Sequence, residues 1–143
     1  MPLPPDFVHA SRDLERFLLD ARETLSHATT HQTWYSVLGV FVTFRARLSV
    51  PQAVAFAQAL PPLLGAMFLY EWDPAQEPLA FASRAELARE AMGFRIEHSF
   101  LPESAIEDVA AALWRHVDRR AFARMLDTLP PEARAFWALP VET

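Results

Sequence analysis

The tripeptide Leu60-Pro61-Pro62 returns as Leu129-Pro130-Pro131, at an offset of 69 residues. In both places it ends one helix-like stretch and opens a shorter one that finishes on a large aromatic, Phe68 first and Trp137 second. Proline inside a helix removes a hydrogen bond and clashes, whereas at the first helical position it has no N–H to lose. Each proline pair is therefore a stop followed by a start. Self-similarity at this period marks a supersecondary unit built twice. It settles architecture and is silent on activity.

The same offset aligns Val37 with Ile106, Val40 with Val109, Phe44 with Leu113, Leu48 with Val117 and Phe56 with Met125. Ser49 aligns with Asp118, two residues suited to capping a helix. In the first helices the register slips, so that Ala21-Arg22-Glu23 matches Ala88-Arg89-Glu90 at offset 67. A two-residue difference in the loop before the second helix accounts for the slip. The reading is an all-α fold, a duplicated four-helix unit of about eight helices packed on one core.

Hydrophobic spacing places the helices. Residues 1–10, with Pro2, Pro4 and Pro5, read as an extended leader. A first helix capped by Ser11 or Asp13 runs to about Ser26, with Leu14, Leu18, Ala21 and Leu25 inward. A second, Gln32 to Arg47, is apolar almost all round and must be buried on several sides. Gly39 within it implies a close helix crossing. A third helix, Val50 to Ala59, buries Val54, Phe56, Ala57 and Leu60. A fourth, Leu63 to Leu69, completes a first repeat over 11–72. Residues 73–82 are the linker, and 83–140 hold the second repeat. There Ser83 and Glu86 form a capping box, Gly93 ends the fifth helix, and Phe94 to Pro102 is a connector with one helical turn. Glu103 to His116, a helix capped by Asp118, and one opened by Pro131 follow, with Phe122, Met125, Leu126, Phe136 and Trp137 inward.

Composition narrows the function classes. A net charge of −5 opposes nonspecific nucleic-acid binding, which rests on clustered cations. All 13 cations are Arg, which a GC-rich prokaryotic coding sequence explains more simply than a bidentate ligand site. The absence of Cys excludes disulfides, thiolate metal sites and cysteine nucleophiles. No secretory signal is visible, and the longest strongly apolar stretch, Val37 to Phe44, is far short of the roughly 20 residues of a membrane span. A cytoplasmic protein without a membrane partner is expected.

The stretch Arg45-Ala46-Arg47-Leu48-Ser49, then Ala53, the run Ala57-Gln58-Ala59-Leu60-Pro61 and the aromatics to Trp72 resemble the pattern L-R-x-R-L…A…L-A-x-Q-L-P…W of the DUF2267 family. The resemblance extends over about Leu14 to Pro140, with Leu129-Pro130 and Phe136-Trp137 similar to the family's second copy. It implies a bacterial, all-helical, duplicated domain and carries no activity or catalytic residue. Gly65 and Ala66 stand where the family often has Arg and Gly, so an anion site built on that Arg is not carried over.

Candidate chemistry is sparse. His27 and His31 have the i,i+4 spacing of a metal pair, with His9 or Asp20 as a third ligand, but they read as loop surface. His98 reads as a connector residue and His116 as a helix C-terminus, where a cation favours the dipole. Ser36 lacks a nucleophile elbow, and glycines at 39, 65 and 93 form no phosphate loop. Glu86 and Glu90 read as a solvated helix face. Arg115, Arg119, Arg120 and Arg124, interleaved with Asp118 and Asp127, read the same way. No cofactor or metal is expected.

Aromatics are the better lead. Trp34, Tyr35, Phe41, Phe44, Phe56, Phe68, Tyr70 and Trp72 all fall in the first repeat. Most belong to the core, while Tyr35, Tyr70 and Trp72, beside the linker or on the outer side of the second helix, form a candidate interface. The first Leu-Pro-Pro is followed by Leu63, Leu64, Met67, Phe68 and Leu69; the second by Glu132, Ala133, Arg134, Phe136 and Trp137. A non-enzymatic interaction module, joining a second copy or another protein, is the leading expectation. A small-molecule binding or sensing domain with an apolar pocket between the halves is the alternative. A metal-dependent hydrolase comes last.

Overall fold

The computed structural model describes residues 3–94 and 101–140. Eight helices follow one another there: α1 (Pro5–Thr24), α2 (Thr30–Arg45), α3 (Val50–Gln58), α4 (Pro62–Leu69), α5 (Arg84–Gly93), α6 (Ala105–Arg115), α7 (Arg119–Asp127) and α8 (Pro131–Trp137). Among the described residues there is no strand, and no helix is long and apolar enough to cross a membrane. The helical turn expected after Phe94, and His98, lie outside the described residues.

Seven of the eight helix starts follow two chemistries, α6 after Ser104 being the exception. Thr29, Ser49, Ser83 and Asp118 each accept the backbone N–H three residues on, and Gln52 returns the bond to Ser49 to complete a capping box. Helices α1, α4 and α8 instead begin on prolines with no side-chain cap. This corrects the extended leader expected over 1–10, since α1 begins at Pro5. Pro5 suits the first turn, and no breaker follows it before the helix ends at Thr24. The end of α1 is a Schellman motif, with His27 N–H bonded to Arg22 O, Ser26 N–H to Glu23 O, and Ser26 at φ 58°.

Inward faces follow the expected periodicity with instructive exceptions. Phe17, absent from the expected stripe, is fully buried in α1 with Ala21, while Leu14 and Leu18 are half-buried. In α3 it is Ala53 that faces inward, and Val54 is exposed. Helix α2 is buried on several sides, from Thr33 through Ser36, Val40, Phe41 and Phe44. Gly39 allows its close crossing with α5, where a Cβ would stand 3.1 Å from Ala91 O.

The two repeats interlock. Helix α1 packs chiefly on α6, and α2 on α5, so the first helix of each repeat covers the second helix of the other. The linker is tied down as it passes, with Leu79 N–H bonded to Ala46 O at 2.9 Å. At the centre, Phe41, Phe44, Phe56 and Phe68 from one repeat meet Phe122, Phe136 and Trp137 from the other, all essentially without solvent contact. Phe44 meets Trp137 edge-on at 5.4 Å, and Phe56 stacks on it at 5.3 Å. These are the favoured geometries for aromatic pairs. The aromatics that would line a pocket between the halves therefore fill that space with one another.

Candidate functional site

The Arg45-x-Arg47 motif serves the fold. Arg45 is buried at the end of α2, and its Nη1 donates to Phe68 O and Tyr70 O, both at 3.0 Å, where α4 leaves carbonyls without intrahelical partners. Burial lowers its pKa from the ordinary guanidinium value. At offset 69, Arg45 becomes Trp114 and Phe68 becomes Trp137, and Trp114 Nε1 donates to Trp137 O at 2.7 Å. The repeat preserves a donor role while exchanging the side chain that fills it. Arg47 is also buried and donates to Thr43 O, Ala80 O and both oxygens of Glu90, the closest at 2.6 Å. Glu90, expected on a free solvated face, is thus the anchor between α5 and α2.

The remaining polar clusters also brace helices. Asp20 on α1 accepts from Arg115 Nε and Nη2 at 2.8 Å and pairs with His116 Nε2 at 2.8 Å. The Arg115 hydrogen bonds, against the opposing effect of burial and with help from His116, hold the Asp20 carboxyl below its usual pKa. Arg115, expected to be merely solvated, is therefore paired across the repeats. His27 lies 2.7 Å from Ser36 Oγ, a base-and-hydroxyl pair in form. Ser36 is 1% exposed inside α2, where no substrate reaches it, so the pair fastens the α1–α2 turn. His27 is half-buried rather than loop surface, and His31 lies edge-on to Tyr35 on α2. Among the described residues no group of three His, Cys, Asp or Glu is placed to hold a metal.

The surface points to α3 and α4. No charged residue occurs between Arg47 and Glu71, although both helices lie at the surface. They meet at a tight corner because Gly65 sits against Ala57, where a Cβ would come within 2.4 Å of its carbonyl oxygen. The corner leaves a groove of about 380 Å3 over Ala57 and Gly65, bordered by Val54, Gln58, Pro62, Ala66 and Leu69. Val50, Val54, Leu63 and Tyr70 stand exposed on or beside these helices. Among the described residues, every exposed large hydrophobic side chain precedes the second repeat.

The second repeat supplies the comparison. At offset 69 the corner becomes α7 and α8, with Val50 replaced by Arg119, Gln58 by Asp127, Leu63 by Glu132 and Gly65 by Arg134, all four exposed. One backbone design carries a charged surface in one copy and an apolar one in the other. Of the three aromatics singled out from the sequence, Tyr70 is 61% exposed at the end of α4. Trp72 is half-buried against the core. Tyr35 is half-buried on α2, ten residues before the Arg45 that holds Tyr70, or about 15 Å along the helix. Leu63 belongs to the apolar run already contrasted with the second copy in the sequence, whereas Val50 and Val54 were not picked out, because helical spacing alone assigned Val54 to the core.

A comparison with curated proteins finds no match. The family model described as "Uncharacterized conserved protein (DUF2267)" matches residues 14–136, across both repeats, and the chain belongs to that family.

Proposed function

We propose that this chain is a non-enzymatic helical interaction module that docks a protein through the corner of α3 and α4. The observation that carries the reading is the contrast between the two copies of that corner. Folding needs only the buried side of each helix pair to be apolar, and the second copy shows that the outer side can carry Arg119, Asp127, Glu132 and Arg134. The apolar outer side of the first copy is then left for association, since contiguous exposed apolar surface marks interaction sites. Tyr70 extends this surface, as aromatic residues commonly do at interface centres. Trp72 packs partly buried against the core, and Tyr35 lies apart on α2.

A photo-reactive amino acid placed at position 63 in one variant and at the equivalent position 132 in another tests the reading in living cells. A discrete adduct from position 63, with none from position 132, is the expected result. No adduct from either, or the same diffuse pattern from both, would remove the basis for the proposal.

A further inference from the structure

Resting on the interaction reading, we infer that the occupant of the corner is a second copy of this chain, paired about a two-fold axis. The charges on the margins carry the argument. Helix α7 packs on α3 and exposes Arg119, Arg120 and Arg124 beside Asp118 and Asp127, a net positive surface on which Arg120 and Arg124 enter no ion pair among the described residues. On the α4 margin the chain continues into exposed Glu71, Asp73 and Glu77. Helix α1, which borders α4, adds charges of both signs and leaves that margin net acidic. The corner is therefore an uncharged strip with one margin net cationic and the other net anionic.

Such a pattern is self-complementary. A two-fold axis lying along the strip maps each margin of one copy onto the opposite margin of the other. The apolar residues Val54, Leu63 and Tyr70 then face their own counterparts, while Arg120 and Arg124 face Glu71 and Asp73 of the second copy. Margins of opposite net charge then face one another, and that complementarity fixes the register of the pair. A different protein would need both an apolar strip and this same charge arrangement.

Sedimentation analysis of the full chain from micromolar to near-millimolar concentration tests the inference. The wild type should pass from monomer to dimer. Leu63→Glu, which installs what the second repeat already carries, should weaken the dimer by at least about tenfold with helicity unchanged, because each copy then buries a charge. Arg120→Glu with Arg124→Glu should weaken association, as should Glu71→Arg with Asp73→Arg. An equimolar mixture of these two double variants should restore it as a heterodimer. A wild type that stays monomeric, or a mixture that fails to associate, overturns the second copy as occupant. In the photo-reactive experiment, an adduct with a different protein keeps the interaction reading and overturns this inference. Absence of any adduct ends both.

Discussion

Replacing each of the three glycines by alanine isolates the helix approaches that shape this molecule. The added methyl is the same in each case, and only its surroundings differ. Removing a glycine from a helix interior gains about 1 kcal/mol in propensity, less at a helix end. At Gly93, the last residue of α5, a Cβ meets nothing within 4 Å, so Gly93→Ala should be stabilising by roughly 0.5 kcal/mol. At Gly39 the Cβ would stand 3.1 Å from Ala91 O. The small adjustment this demands should cancel most of the propensity gain, leaving Gly39→Ala near neutral. At Gly65 the Cβ would lie 2.4 Å from Ala57 O and 3.3 Å from Ala57 C, both backbone atoms. No rotamer change relieves that contact, so α3 and α4 must separate. Overpacking of this kind costs about 3 kcal/mol at the upper end of its usual range, and roughly 2 kcal/mol net of propensity. Urea and thermal unfolding of the three variants should rank Gly93→Ala above Gly39→Ala above Gly65→Ala. The extremes should differ by about 2.5 kcal/mol, or roughly 10 °C in Tm for a chain of this size. Equal stability of Gly65→Ala and Gly93→Ala would refute the tight corner, and with it the groove between these helices. Since Gly65 also sets the docking surface, Gly65→Ala should further weaken whatever binds there.

Arg47→Ala should cost roughly 2–3 kcal/mol in urea unfolding, below the usual range for a broken buried pair because Glu90 remains partly solvated. Arg47→Lys should recover less than half of it, since one ammonium cannot replace the two-pronged contact with Glu90. Burial lowers the His27 pKa from 6.5 in the folded protein, with nearby Asp108 opposing the shift. The unfolded chain therefore takes up a proton first on acidification, and stability contributed above pH 6.5 is lost as pH falls below it. His27→Gln should flatten the Tm profile between neutral pH and the folded-state pKa, and an unchanged slope would count against a half-buried imidazole held neutral. Chains cut in the linker, 1–78 and 79–143, should each lack cooperative thermal unfolding and regain it on mixing, because α1 needs α6 and α2 needs α5. A cooperative transition in either piece alone would contradict the interlocked packing.

The fold was legible from local rules where those rules act alone. Proline pairs at 61–62 and 130–131 and caps at Ser49 and Asp118 act within one turn, and the helices begin where they point. Periodicity identified α2 as a central helix because burial on several sides leaves no room for a polar face. It misread Val54 because an apolar residue at helical spacing is compatible with a core position or a docking face, and only the neighbours decide which. Phe17 was missed for a related reason. Its burial comes from α6 of the other repeat, where His116 lies edge-on to its ring.

The polar residues mark the sharper boundary. Arg45, Arg47, Asp20 and Glu90 look like surface charges in the sequence, since nothing local places a partner beside them. Their long-range partners are 23 to 96 residues away, reached within the first repeat for Arg45 and only when the repeats interlock for Arg47, Glu90 and Asp20. The sequence by itself determined that a four-helix unit is built twice and where most of its helices begin, α1 excepted. Tertiary packing alone decided that each repeat covers the other, that the motif arginines are consumed internally, and that the outer side of the apolar corner is left exposed. Capping and periodicity act over a single turn, whereas burial and ion pairing depend on which distant helices meet.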